Sequence, residues 1–331
     1  MKKIIIFGST GNIGAYLTDY INNNINVDEY EVIASGRKNT GFWKKKGVKY
    51  VAVDIRNASD FEKLPTDDVY AIINAAGILP AYQREYNPMD YVDTIVKGGL
   101  NVLEYARKNK VDRVLYTQTW SEQGGYWGKS DVLSPSMPRS LIYTGDHAFY
   151  VITKTMIVET MEHYKQEYGV KNFVFRLPNV YLYHPDMYYY VDCIKRPIGY
   201  RYMIDRAMKG EDIELWGNPE GFKDILYVKD LCQMIFKALF ASVDGGAYNA
   251  GTGIKTTLKE QIEGIIRVFA PEGKQINIIE KPEGAKFINF VMDIENAKKD
   301  LHYQPEYTYI KYLQDYKREQ EEKRFNDLWG R

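Results

Sequence analysis

Six short apolar runs in the first 176 residues constrain the fold more than anything else in this sequence. They are Lys3–Phe7, Glu31–Ser35, Lys49–Val53, Tyr70–Asn74, Arg113–Thr117 and Asn172–Phe175. Their length and mostly continuous apolar character predict strands buried on both faces. Amphipathic stretches separate them, notably Asp90–Lys108 and Ala148–Tyr168. Strand alternating with helix predicts a parallel sheet covered on both sides and joined by right-handed crossovers. The fold class is therefore α/β, with a doubly wound sheet.

The pattern loosens after Arg176. Leu182–Arg201 is rich in Tyr and Pro and has no clear period. Met203–Met208 and Thr257–Phe269 read as helices, Glu214–Trp216 and Tyr248–Ala250 as short strands, and Asp224–Phe240 as a strand end leading into a helix. Lys311–Arg324 reads as a mixed-charge helix with a solvated face. A chain of 331 residues can bury one large core or two modest ones. The expected organisation is a dinucleotide domain over residues 1–178, with returns near 223–250. A smaller, interleaved C-terminal substrate lobe would take residues 179–222 and 251–331.

The first run feeds directly into Gly8-Ser9-Thr10-Gly11-Asn12-Ile13-Gly14. Glycine permits a tight turn and lets backbone N–H groups approach a pyrophosphate at a helix N-terminus. The motif makes the sheet a Rossmann-type one. The second run ends in Ser35-Gly36-Arg37-Lys38. Gly36 stands where an NAD site usually places an acid for the ribose 2′-hydroxyl, and two cations follow, which favours NADP over NAD. Asp54 after the third run either accepts from the adenine amino group or caps the following helix. After the fourth run, Ala75, Ala76 and Gly77 let the backbone lie close to a cofactor.

Tyr150 and Lys154 are the reactive candidates. Residues four apart share a helix face, so the ammonium can sit near the phenol. A phenol titrates near ~10, and a close cation favours phenolate. Such general acid–base groups typically contribute ~10²–10⁴-fold in rate. The helix follows the fifth strand, at the carboxyl edge where open α/β sheets bind ligands. Thr119, with Ser121 in reserve, offers a hydroxyl to the reacting oxygen.

Composition limits the partners. Lys+Arg and Asp+Glu are both 44, so charge offers no argument for nucleic acid or an anionic membrane. Cys193 and Cys232 give neither a disulfide framework nor a metal-ligand spacing, and no metal is expected. The apolar start is too short for a signal peptide, and no run reaches the ~18 apolar residues of a membrane span. A cytoplasmic protein is expected. The 29 tyrosines are expected mostly at the surface.

These motifs in order resemble the extended short-chain dehydrogenase/reductase family, the NAD(P)-dependent nucleotide-sugar epimerases and dehydratases. The likeness also rests on Val53-Asp54-Ile55-Arg56-Asn57, Phe175-Arg176-Leu177-Pro178-Asn179-Val180-Tyr181 and Lys223-Asp224-Ile225-Leu226-Tyr227-Val228-Lys229-Asp230. Tyr248-Asn249-Ala250-Gly251 and Met292-Asp293 through Pro305 fit the late motifs. The resemblance implies a catalytic set of Thr119, Tyr150 and Lys154. It implies cofactor contacts from Gly8, Thr10, Gly11, Asn12, Ile13, Gly14, Arg37, Lys38, Asp54, Ile55, Ala75, Ala76, Gly77, Thr117, Tyr150, Lys154, Leu177 and Pro178. It implies substrate contacts from Thr119, Asn179 and Lys223, and a homodimer through the helices near 90–108 and 148–168.

This sequence departs from the family pattern in places. Trp120 and Ser121 stand where sugar 4,6-dehydratases carry an acidic pair, with Glu122 displaced by one position. Ile95 replaces a usual asparagine, and Leu182-Tyr183 a usual Gly-Pro. His147, His184 and Asp186 are further acid or base candidates. The expected function is an epimerase or reductase of a nucleotide sugar, transferring hydride with Tyr150 as acid/base. The alternatives are an NADPH-dependent reductase of a non-sugar carbonyl and a non-catalytic dinucleotide-sensing or scaffold protein.

Overall fold

The computed structural model describes residues 1–38, 40–284 and 288–330. The lobe expected over 251–331 thus includes a few residues, 285–287 and 331, outside the described ones. The apolar runs form β1 (Lys2–Phe7), β2 (Tyr30–Gly36), β3 (Lys49–Ala52), β4 (Val69–Asn74), β5 (Arg113–Thr119) and β6 (Lys171–Leu177). A seventh strand, β7 (Gly245–Asn249), returns late in the chain. The order β7-β6-β5-β4-β1-β2-β3 is parallel throughout. Order reverses between β1 and β4, the switch point where such sheets open a crevice.

Alternate residues of each strand enter opposite cores. Ile4, Ile6, Ala71, Ile73, Leu115, Phe173 and Phe175 face one, with α1 (Asn12–Asn24) against them. Ile5, Phe7, Ile72, Val114, Tyr116 and Val174 face the other. There they meet α2 (Gly98–Lys108) and α3 (Ala148–Tyr168) through Val102, Leu103, Ile157 and Met161. Each fully buried aliphatic side chain contributes roughly 1.5–3 kcal/mol, so both faces hold the sheet.

The helix expected over 90–108 is divided. Asn87 caps a turn at Pro88–Tyr91 by accepting from the Met89 N–H at 3.1 Å. A π-helical segment, Val92–Lys97, intervenes before α2. The weak helix formers Gly98 and Gly99 stand where regular α-turns resume.

After β6 the chain makes a hairpin, Tyr188–Val191 with Ile194–Pro197, within the stretch that showed no period. Then come α4 (Val228–Leu239), α5 (Leu258–Phe269) and α6 (Tyr309–Glu322). The solvated face expected for α6 is a correction. Tyr312, Leu313 and Tyr316 are buried, and so are Asp315 and Glu319. Their charges are tolerated because Lys229 Nζ lies 2.6 and 2.8 Å from the two carboxylates, while Tyr227 donates to Asp315 at 2.7 Å. The surface expectation for tyrosine also fails: of the 29, 13 are buried and six are exposed. Many pack ring on ring, as Tyr312 does on Tyr181, Tyr227 and Tyr316. Among the described residues no helix is long and apolar enough to cross a membrane.

Asp224 ties three segments together, its own strand end, Thr252–Gly253 and Met292. Its buried carboxylate accepts from Thr252 N–H and Oγ1, Gly253 N–H and Met292 N–H at 2.6 to 3.1 Å. Removing it leaves several buried donors unpaired. Asp224→Ala is expected to lower stability by about 3 kcal/mol in urea unfolding, with the far-ultraviolet circular dichroism of the folded protein unchanged.

Candidate active site

The glycine motif is shaped by contacts that exclude side chains. Gly8 has φ 85°, and a Cβ there would stand 2.7 Å from the Ala75 carbonyl carbon and the Ala76 nitrogen. On Gly14 a Cβ would stand 1.9 Å from the Gly8 oxygen. The loop therefore lies flat between β1 and β4. Gly11 is the N-cap of α1, and no side chain caps that helix. The first N–H groups of α1, from Asn12, Ile13 and Gly14, are left to water or a ligand, and the helix dipole favours an anion there. This cradle fits a dinucleotide pyrophosphate.

Along the same edge, a Cβ on Gly36 would meet Thr10 Oγ1 at 2.8 Å, and Tyr50 donates to the Gly36 carbonyl at 3.0 Å. An acid at that position would have to displace the Thr10 side chain and press on the Tyr50 hydroxyl. Arg37 and Lys38 follow it, both exposed. Asp54 does not cap the next helical turn, whose N-cap is Asn57. Its carboxylate is instead held by Arg56, through Nε at 2.9 Å and Nη2 at 2.6 Å. Those hydrogen bonds, with Arg37 adding a smaller pull, keep Asp54 below the usual carboxylate range. The Ile55 carbonyl accepts from Asn101 Nδ2 at 2.8 Å. Ala76 N–H donates to Asn74 Oδ1 at 3.2 Å, just before Gly77.

Tyr150 and Lys154 sit on the first turns of α3, 5% and 4% exposed. Lys154 Nζ donates to the Thr117 carbonyl and lies 4.2 Å from the centre of the Tyr116 ring. The Tyr150 ring is 6.1 Å from that of Tyr91 and edge-on to His147 at 6.3 Å. Burial pushes the phenol well above its ordinary value, and burial pulls Lys154 down to about 7. This corrects the expectation of an ammonium that lowers the phenol. Burial outweighs any pull from the amine, and Lys154 is not among the groups that shift the phenol.

Thr119 ends β5 opposite Leu177 of β6, with Pro178 next in the chain. Its Oγ1 donates to Ser121 Oγ at 3.1 Å and accepts from the Ser121 N–H at 3.2 Å. Glu122, 1% exposed, pairs with Arg176 and accepts from Gln118 Nε2 at 2.8 Å. It lies just beyond the carboxyl end of β5, in the turn Trp120–Tyr126. Asn179 is exposed, and Lys223 lies on the short strand Phe222–Asp224, its pKa lowered by burial. His184 packs against Trp329 with ring centres 4.3 Å apart, and its Nδ1 accepts from the Asp186 N–H at 3.0 Å. Those contacts anchor the lobe.

Sequence reasoning missed Tyr91, Gln83, Asp146 and the Asp192–Cys193 turn, which line a cavity of about 360 Å³. They come from four separate segments and carry no motif. Among the described residues, no group of three or more His, Cys, Asp or Glu is placed to hold a metal.

The depressed lysine has a consequence for stability. Between about pH 7 and 10.5 the unfolded chain binds a proton that folded Lys154 does not, so this group makes stability rise with pH across that window. Buried phenols, whose folded values are raised, oppose this only above ~10. Lys154→Met is expected to remove a rise on the order of 4 kcal/mol. Urea unfolding of both proteins at pH 7 and pH 10 checks it.

A UDP-glucose 4-epimerase from Thermotoga maritima, solved with UDP-glucose, superposes with a TM-score of 0.77 at 21% identity, covering 97% of this chain and 100% of that one. A Thermus thermophilus UDP-glucose 4-epimerase solved with NAD gives 0.71 at 22% identity, covering 96% and 99%. At these identities the likeness is one of fold. A Methanocaldococcus jannaschii protein, provisionally named UDP-glucose 4-epimerase, is 26% identical over 309 residues, or 92% of this chain and 93% of that one. The model of the NAD dependent epimerase/dehydratase family matches residues 4–251, a span that takes in the whole crevice from Gly8 to Lys223, and the chain belongs to that family.

Proposed function

We propose that this protein is an NAD(P)-dependent epimerase of a nucleotide sugar, acting at a carbinol carbon of the sugar. The observation that carries the reading is the burial of Tyr150 and Lys154 together at the carboxyl edge of the sheet, with the lysine on the Thr117 carbonyl. When bound, the nicotinamide supplies the acceptor and donor of hydride. Tyr150 Oη takes the proton from the sugar hydroxyl as its carbon is oxidised and returns it on reduction. Thr119 Oγ1 hydrogen-bonds the same oxygen and fixes its distance from the phenol. Lys154 Nζ, held by Thr117, orients the nicotinamide ribose.

Dehydration is disfavoured because Glu122, the nearest acid in sequence to Thr119, is committed to Arg176. Residues 179–222 and 251–331 form the lobe over the sugar, with Asn179 and Lys223 toward the diphosphate. Ile152 and Met156, 37% and 50% exposed on α3, are the place for the second copy of a homodimer. The cofactor reading rests on the end of β2, where Gly36 leaves no acid and Arg37 and Lys38 can pair with a 2′-phosphate.

Tyr150→Phe is expected to retain dinucleotide and to lose at least about a hundredfold in kcat on a nucleotide sugar. Full activity in that variant ends the assignment. Mass spectrometry of the denatured protein should find NADP(H), and Arg37→Ala should weaken NADP binding roughly tenfold while sparing NAD. Released NAD(H) with no effect of Arg37→Ala on either dinucleotide points to the other cofactor.

A further inference from the structure

The 360 Å³ cavity beside the catalytic pair has a wall made by Tyr91, whose ring is 6.1 Å from that of Tyr150. Asp192 and Cys193, the tip of the hairpin, form another part of the lining. Val191 pairs with Ile194, so the loop has two residues, and both are left-handed, with φ 48° and 62°. That is the backbone of a type I′ turn, which favours glycine or asparagine. Here the strained turn is pinned: Asp192 N–H donates to Asp146 Oδ2 at 3.1 Å. Asp146 Oδ1 in turn lies 2.6 Å from His147 Nδ1. The hairpin tip is thereby tied to the chain just ahead of Tyr150.

Asp146 and Asp192 both line the cavity, and none of the described lining residues is a lysine or arginine. Burial acts to raise the Asp146 pKa, yet hydrogen bonds from His147 and the Asp192 N–H hold it below the ordinary value. Arg84, next in sequence to Gln83, sits over the Tyr190 ring at 6.0 Å and does not line the space. Gln83 supplies the independent sign of a ligand. It is 8% exposed, it lines the cavity, and its Nε2 is buried with no hydrogen-bond partner among the described residues. A buried amide donor without an acceptor is costly unless a ligand provides one. A sugar hydroxyl does so through its oxygen, and its own proton can go to a carboxylate.

We infer that this cavity receives the sugar ring and that Asp146 and Asp192 select a neutral hexose over a hexuronate. The inference rests on the nucleotide-sugar reading above. A sugar carboxylate would meet two like charges at this wall: Asp146 is partly buried, where repulsion is weakly screened, and the exposed Asp192 adds a smaller share.

The test compares kcat/KM for UDP-glucose and UDP-glucuronic acid, using the protein with the dinucleotide it retains. The expected result is a preference for UDP-glucose of at least about tenfold, narrowed severalfold by Asp192→Asn and further by Asp146→Asn. Asp192 is exposed, so Asp192→Asn carries the test if Asp146→Asn fails to fold. Equal use of the two sugars, a preference for the uronate, or an unchanged ratio in Asp192→Asn overturns the inference while leaving an epimerase in place. Turnover of neither sugar by a protein loaded with dinucleotide overturns this inference, and only failure on GDP- and dTDP-sugars as well brings down the nucleotide-sugar reading.

Discussion

The amine of Lys154, held on the Thr117 carbonyl over the face of Tyr116, is the contact on which the site depends. Putting an amine there is unfavourable by itself, because burial strips its water. It is tolerated because α3 is locked to β5 and β6 by Ile157, Met161, Val114 and Val174 in a continuous apolar layer. That layer fixes the distance from helix to strand end, and the lysine reaches the carbonyl only at that distance. The same geometry places the Tyr150 phenol on the helix one turn earlier. Chemistry and core packing are thus one constraint on this face of the sheet.

The other side of the crevice follows a steric rule. Gly8 and Gly14 are where a side chain would strike backbone, and the loop can lie against Ala75 and Ala76 only without one. The glycine loop and the Tyr–Lys helix belong to opposite faces of the sheet. They converge because β1 and β4 are neighbours at the point where strand order reverses.

What was legible in the sequence follows from this division. The strands and α3 could be read because burial on both faces leaves a periodic apolar signal, and the glycine elbow because backbone collision allows one residue type. The charge balance of α6 misled, since Asp315 and Glu319 look solvated in sequence and are buried by partners as distant as Lys229. The tyrosines misled for the same reason: ring-on-ring packing around Tyr312 is assembled from residues far apart in the chain. The influence of Lys154 on Tyr150 was misjudged because helical spacing reports proximity and says nothing of how far each group is desolvated.

The hairpin Tyr188–Pro197 was invisible because its register is set by a turn that uses aspartate and cysteine where glycine would signal it. Its tip is held by Asp146 from another segment, so its position is a property of the assembled fold. This separates two kinds of residue in one crevice. The groups proposed to hold the dinucleotide and move the proton lie on sheet strands, on the turns that follow them and on helices packed against them. The groups proposed to face the sugar come from loops and a hairpin tip, where substitution disturbs little of the core. On the proposed reading, exchanging charges at the hairpin tip changes the sugar accepted, while the distance from Tyr150 to the strand edge stays fixed by the apolar layer beneath it.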